Sequence, residues 1–212
     1  MLVKKTLTLA ASVAALALAL TGCAGAAPTA SAPASNASSA PAVDLKLVEA
    51  GTLTVCADVP YPPFEIEDAS TATGYSGFDV DVMDALAKKL GLTLKVMDVE
   101  FDALQSGTVL VANQCDIGAS AMTITEERKK NIDFSDPYYD SLQSLLVKTD
   151  SGITNLAGLS GKKIGVQKGT TGKTYAEENA PKDAQLIEFP SDGELWPAIQ
   201  AGQSTLIAAP TG

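Results

Sequence analysis

The chain has 212 residues, with 25 Asp and Glu against 15 Lys and Arg, a formal net charge of −10, no histidine and three cysteines. So acidic a balance argues against a nucleic-acid partner. Without histidine, the most common general base and a frequent zinc ligand are both absent.

Residues 1–22 read as an export signal. Lys4 and Lys5 form a positive head, and an Ala-, Leu- and Val-rich run from Leu7 to Leu20 follows. That run falls short of the roughly 20 apolar residues a spanning helix needs. Leu20-Thr21-Gly22-Cys23 resembles a lipoprotein processing site, which implies lipidation of Cys23 and a membrane anchor at the extracellular face. Residues 23–47 are rich in Ala, Ser and Pro and read as a flexible tether. Removing the signal takes away two lysines and no acid, so the exported form is more acidic still. Export also places Cys56 and Cys115 where disulfides persist, and they lack the spacing of a metal or redox site. A Cys56–Cys115 disulfide is preferred over two buried thiols.

The foldable part starts near Val48. Leu53 to Ala57 predicts a strand. Phe78 to Leu90 predicts a helix with Val82, Met83, Leu86 and Leu90 on one face, Asp79 and Asp81 at its positive end, Lys88 and Lys89 at its negative end, and Gly91 just beyond. Leu92 to Val96 predicts a strand, Phe101 to Ala112 a helix, Ile117 to Ala119 a strand, and Tyr138 to Val147 a long strand leaving this unit. The rhythm then restarts with a strand at Lys163 to Val166, a helix at Thr171 to Asn179, a strand at Gln185 to Phe189, a helix at Leu195 to Ala201 and a strand at Leu206 to Ala208. Strand–helix alternation predicts an α/β protein with parallel sheets. We read it as two lobes, 48–146 and 147–212, with a ligand cleft between them at the carboxyl ends of strands.

Three segments carry a family resemblance: Gly77-Phe78-Asp79-Val80-Asp81-Val82, Met122 to Arg128 continuing through Ile132 to Tyr139, and Gly165 to Gly172. In this order they resemble the amino-acid-binding type 2 periplasmic binding proteins, the extracellular solute-binding family 3 that serves ABC importers. The resemblance implies a two-lobed fold and a receptor that captures a polar amino acid and delivers it to the permease subunits of a transporter, with no cofactor, metal or catalytic residue. It places the carboxylate-binding arginine at Arg128, whose planar fork suits a carboxylate. Ser120, Ala121 and Thr123 lie in the turn beside it. Thr170 and Thr171 open a helix whose free N–H groups suit an anion. Asp58, Tyr61 and Phe64 line the mouth on the ligand's distal side, and Phe101 lies at the neighbouring edge. Gly172-Lys173-Thr174 imitates the end of a phosphate-binding loop, but Gln167 stands where that motif needs glycine.

One departure stands out. The family places an aspartate near the end of the second lobe for the ligand ammonium, and no acid follows Glu194 here. The expectation is a C-terminally truncated copy with an incomplete first lobe and impaired binding. The rival readings are an enzyme on the same fold, similar to cyclohexadienyl dehydratase and using Asp58, Glu65 and Lys173, and the sensory domain of a receptor.

Overall fold

The computed structural model describes residues 45–204 and the backbone of the strand Leu206–Thr211. The expected export signal, Cys23 and most of the tether lie outside the described residues.

The first sheet is parallel and has three strands. Strand β1 (Thr52–Ala57) is central, β4 (Thr93–Asp98) pairs along its whole length, and β5 (Ile117–Gly118) pairs with Val55 and Cys56. A central parallel strand is covered on both faces, so it is apolar almost throughout. Leu53, Val55, Cys56 and Ala57 are all buried, as is Thr54. A two-strand hairpin, β2 (Ile66–Glu67) with β3 (Tyr75–Ser76), which the sequence pattern did not reveal, leads into the main helix.

Helix α1 (Phe78–Leu90) has the expected bounds. Its Met83 and Ala87 pack on Leu53, Val55 and Ala119. Gly91, at φ 72°, ends it, with its N–H donating to Lys88 O and the N–H of Leu92 donating to Ala87 O. This is the left-handed termination that glycine allows.

The single helix expected over Phe101 to Ala112 is instead two, α2 (Phe101–Gln105) and α3 (Thr108–Val111). The break falls at Gly107, with φ 78°, where an added Cβ would lie 2.7 Å from Ile132 Cγ2. A contact from 25 positions downstream therefore sets the break. Beneath these helices Leu104 and Val109 pack with Cys56 and Cys115, which form a disulfide with Cα atoms 5.7 Å apart.

The second sheet has the order β6 (Leu142–Val147), β9 (Leu206–Thr211), β7 (Lys163–Gln167), β8 (Gln185–Phe189). β7 runs parallel to β8 and β9, and β6 is antiparallel to β9. The sequence reading assigned residues 142–146 to the first lobe, whereas β6 pairs in this sheet. It also starts four residues later than expected, because Tyr138 and Tyr139 turn back to pack against Phe78 and Phe64.

Helix α4 (Thr171–Asn179) lies on this sheet, with Ala176 in a core of Leu159, Ile164 and Val166. Helix α5 (Asp192–Gln200) starts three residues before its expected Leu195, because the Ser191 side chain caps it by accepting from Gly193 N–H.

Candidate functional site

Nine of the ten ligand residues expected from the sequence line one cavity: Asp58, Tyr61, Phe101, Ser120, Ala121, Thr123, Arg128, Thr170 and Thr171. Asp58 and Tyr61 follow β1, Ser120 and Ala121 follow β5, Phe101 opens α2, and Thr170 and Thr171 begin α4 after β7. The cavity therefore lies at the carboxyl ends of strands from both sheets, where open α/β layers present loops to ligands. Its volume is about 30 Å³.

Phe64 is the exception. It is buried behind the cavity, with Tyr61 stacked on it at 5.7 Å and Tyr139 edge-on at 5.2 Å. Its place is the packing that supports Tyr61.

Arg128 sits in a short helical turn, Arg128–Lys130, and only 5% of it is exposed. Its guanidinium spans the two halves. Nη1 donates to Thr123 O at 2.8 Å, and Nη2 donates to Gly169 O, just before α4, at 2.9 Å. Nε donates weakly to Gln105 Oε1, and the Phe101 ring lies 5.2 Å from the guanidinium carbon. Every one of these partners is neutral. Burial pulls the Arg128 pKa down to about 10, so it is a cation at neutral pH.

The facing wall is the start of α4. Thr170 caps it, accepting from Lys173 N–H at 3.1 Å and donating to Gln167 O at 2.8 Å. Thr171 Oγ1 accepts from Gln143 Nε2 at 3.0 Å and approaches Thr123 Oγ1 across the cavity at 3.4 Å. Gly169 must be glycine. Its φ is 77°, and a Cβ there would sit 2.8 Å from Asp102 Oδ1.

At the other end Asp58 is buried, and its N–H donates to Ser120 Oγ at 3.0 Å. Its carboxylate accepts from Gln167 Nε2 on the second sheet. Burial above all, with Asp98 and Asp192 nearby, pushes Asp58 up to about 6 despite that hydrogen bond. Burial also raises Asp192, in the first turn of α5, to about 6. Gln167 is the lining residue that sequence reasoning missed. The signal for it was its position as the last residue of β7, at a strand's carboxyl end.

The sequence pattern described as bacterial extracellular solute-binding proteins, family 3, matches residues 53–209. The arginine-binding extracellular protein ArtP of Bacillus subtilis is 42% identical over 122 residues, which is 58% of this chain and 46% of ArtP. The L-arginine-binding protein of Pseudomonas aeruginosa is 34% identical over 152 residues, 70% of this chain and 57% of that protein. The chain thus spans about half the length of these curated relatives. Among solved structures, the arginine-bound, truncated ArgBP from T. maritima superposes with a TM-score of 0.69 at 34% identity, covering 76% of this chain and 74% of ArgBP. The ancestral amino acid-binding protein AncCDT-1, a precursor of cyclohexadienyl dehydratase, also gives 0.69, at 36% identity, covering 76% and 70%.

Proposed function

Because this chain belongs to family 3 of the bacterial extracellular solute-binding proteins, with the type 2 periplasmic binding protein architecture, we propose that it captures a polar amino acid between its two sheets and delivers it to an ABC importer. The observation that carries this reading is the buried Arg128 cation, held by carbonyls of both halves and matched to no carboxylate among its hydrogen-bond partners. A buried charge is costly unless something of opposite sign meets it. The α-carboxylate of an amino acid supplies that charge, and the start of α4 offers it further N–H donors.

Asp58 is the one acid among the lining residues, so it receives the positively charged or hydrogen-bond-donating distal part of the ligand. The arginine-binding relatives support a cationic side chain there. The free volume is far smaller than an amino acid, so the ligand is admitted by separation of the two halves and held when they close. The chain acts as a binding protein with no chemistry of its own. It is tethered at the outer membrane surface through Cys23 and hands its ligand to the permease subunits.

Calorimetric titration of the full chain with the polar amino acids tests the binding reading. One or more should bind in a single site, with arginine first among them, and a panel that gives no heat ends it. Labelling cells with a tagged fatty acid tests the anchor, which fails if Cys23→Ser labels as well as the wild type.

A further inference from the structure

Asp79 lies in the first turn of α1, where a carboxylate complements the helix dipole, yet that is too small a role for its surroundings. An acid serving only the dipole has no need of burial, and Asp79 is 1% exposed. Both its oxygens are engaged by distant parts of the chain. Oδ2 accepts from the Ala121 N–H at 2.6 Å, and Oδ1 accepts from the Tyr138 hydroxyl at 3.0 Å.

Each of those partners matters to the cavity. Ala121 lines it and has φ 43°, a left-handed conformation that a residue with a Cβ rarely adopts and that neighbouring contacts must hold in place. Its neighbour Ser120 is pinned separately, through the Asp58 N–H. Tyr138 belongs to the stretch that leaves the Arg128 turn and enters β6, where the chain crosses from the first sheet to the second. Glu65 lies behind this group, fully buried, and neither of its carboxyl oxygens has a hydrogen-bond partner among the described residues. Burial first, then the Asp79 carboxylate, pushes Glu65 up to about 10, so it stays neutral.

We propose that Asp79 is a positioning residue for ligand binding: it holds the left-handed backbone of Ala121 in the cavity wall and, through Tyr138, ties that wall to the segment joining the two sheets. The proposal rests on the reading that this cavity holds the ligand. Asp79 touches no ligand itself and acts through Ala121.

The test uses the full chain in four forms: wild type, Asp79→Asn, the double variant Asp79→Asn with Ala121→Gly, and Tyr138→Phe. Each is titrated calorimetrically with L-arginine, L-glutamine and L-histidine, and the Ala121 (or glycine) amide is followed by NMR. Asp79→Asn keeps the shape but removes the charge from a short hydrogen bond, so it should weaken binding by about tenfold or more and move the Ala121 amide resonance upfield. Glycine at position 121 adopts positive φ without steric cost, so the double variant should recover binding to within about threefold of wild type. A part played only in fold stability would leave the affinity of the folded chain and the Ala121 amide resonance unmoved. Tyr138→Phe removes one hydroxyl, leaves the packing intact and should weaken binding about threefold; it carries the test if Asp79→Asn does not fold.

Undiminished affinity in Asp79→Asn, an unmoved Ala121 resonance, a glycine that rescues nothing, or a Tyr138→Phe variant that binds as wild type would each overturn the proposal. If the wild type binds none of the three amino acids, arginine, glutamine and histidine are excluded as its ligands. The amide resonance then decides alone whether Asp79 governs Ala121.

Discussion

A buried guanidinium facing only neutral dipoles is the central feature at the scale of single residues. Carbonyls from Thr123 and Gly169 fix the orientation of its planar fork, and the Phe101 ring lies 5.2 Å from its carbon. That geometry needs a fork. A lysine in the same place keeps the charge but has one nitrogen, which cannot bond both carbonyls and still present parallel donors to a carboxylate. Arg128→Lys should therefore raise the Kd for the bound amino acid by about a hundredfold, equivalent to the ~3 kcal/mol of a lost charged hydrogen-bond pair. Calorimetry with the ligand that binds the wild type checks this, and a loss of less than about threefold would show that the guanidinium is not the carboxylate's partner.

The same residues show what the sequence made legible. Arg128, Thr170 and Thr171 sit in segments whose local pattern is self-sufficient, a charged turn after a strand and a threonine-capped helix start, and local pattern is readable along a chain. Gln167 was hidden because a strand's last residue has no local mark of which way it points. Phe64 was misplaced because a ring in a Pro-rich loop can face the ligand or support its neighbour, and Tyr139, 75 residues away, decides which.

Among elements, the best-read one is α1, whose caps, dipole charges and apolar face all lie within its 13 residues and the glycines on either side. Apart from the unforeseen β2–β3 hairpin, the poorest are α2, α3 and β6, each reshaped by a distant contact: Ile132 against Gly107, and Phe78 and Phe64 against the tyrosines ahead of β6. Helices of five and four residues have little stability of their own. The Cys56–Cys115 disulfide compensates on that face of the first sheet, joining the central strand to the loop after α3 across a separation of 59 residues. Chain-entropy estimates for a loop of that size give about 4 kcal/mol. Reduction, or replacement of both cysteines by alanine, should lower the melting temperature by about 10 °C, with the loss concentrated in the first sheet. Thermal melts with and without reductant measure it, and an identical melting temperature would show that the core of Leu104 and Val109 suffices.

At the scale of the whole molecule, the Asp58 end of the seam between the sheets gathers carboxyl groups, while the Arg128 cation sits at the other end. Asp58 and Asp98 approach from the first half and Asp192 from the second, with Glu65 behind them. Lys168, after β7, pairs with Asp102 of α2 across the seam at the Arg128 end, and Lys173 pairs with Glu188 within the second half. Burial raises Asp58 and Asp192 from 3.8 to about 6 and Glu65 from 4.5 to about 10. A carboxyl raised in the folded state binds its proton more tightly there than in the unfolded chain. Its stabilising contribution is therefore complete below the unfolded value and is lost as pH climbs through the folded one. Asp58 and Asp192 lose theirs between about 4 and 6, and Glu65 goes on losing its own up to about 10. The other resolved shifts act outside this window: Asp68 and Asp102 are lowered from 3.8, Tyr61 and Tyr138 are raised from 10.0, Lys168 and Lys173 are raised from 10.5, and Arg128 is lowered from 12.5 to about 10. The melting temperature should thus be highest near pH 4 and decline towards pH 8, each proton difference contributing about 1.4 kcal/mol per pH unit. Glu65→Gln, which is neutral at every pH, should flatten the decline above pH 6 and melt higher than wild type at pH 8. A melting temperature that instead rises from pH 5 to 8 would mean that these carboxyls are ionised and hydrated in the folded chain, and that the seam is open to water.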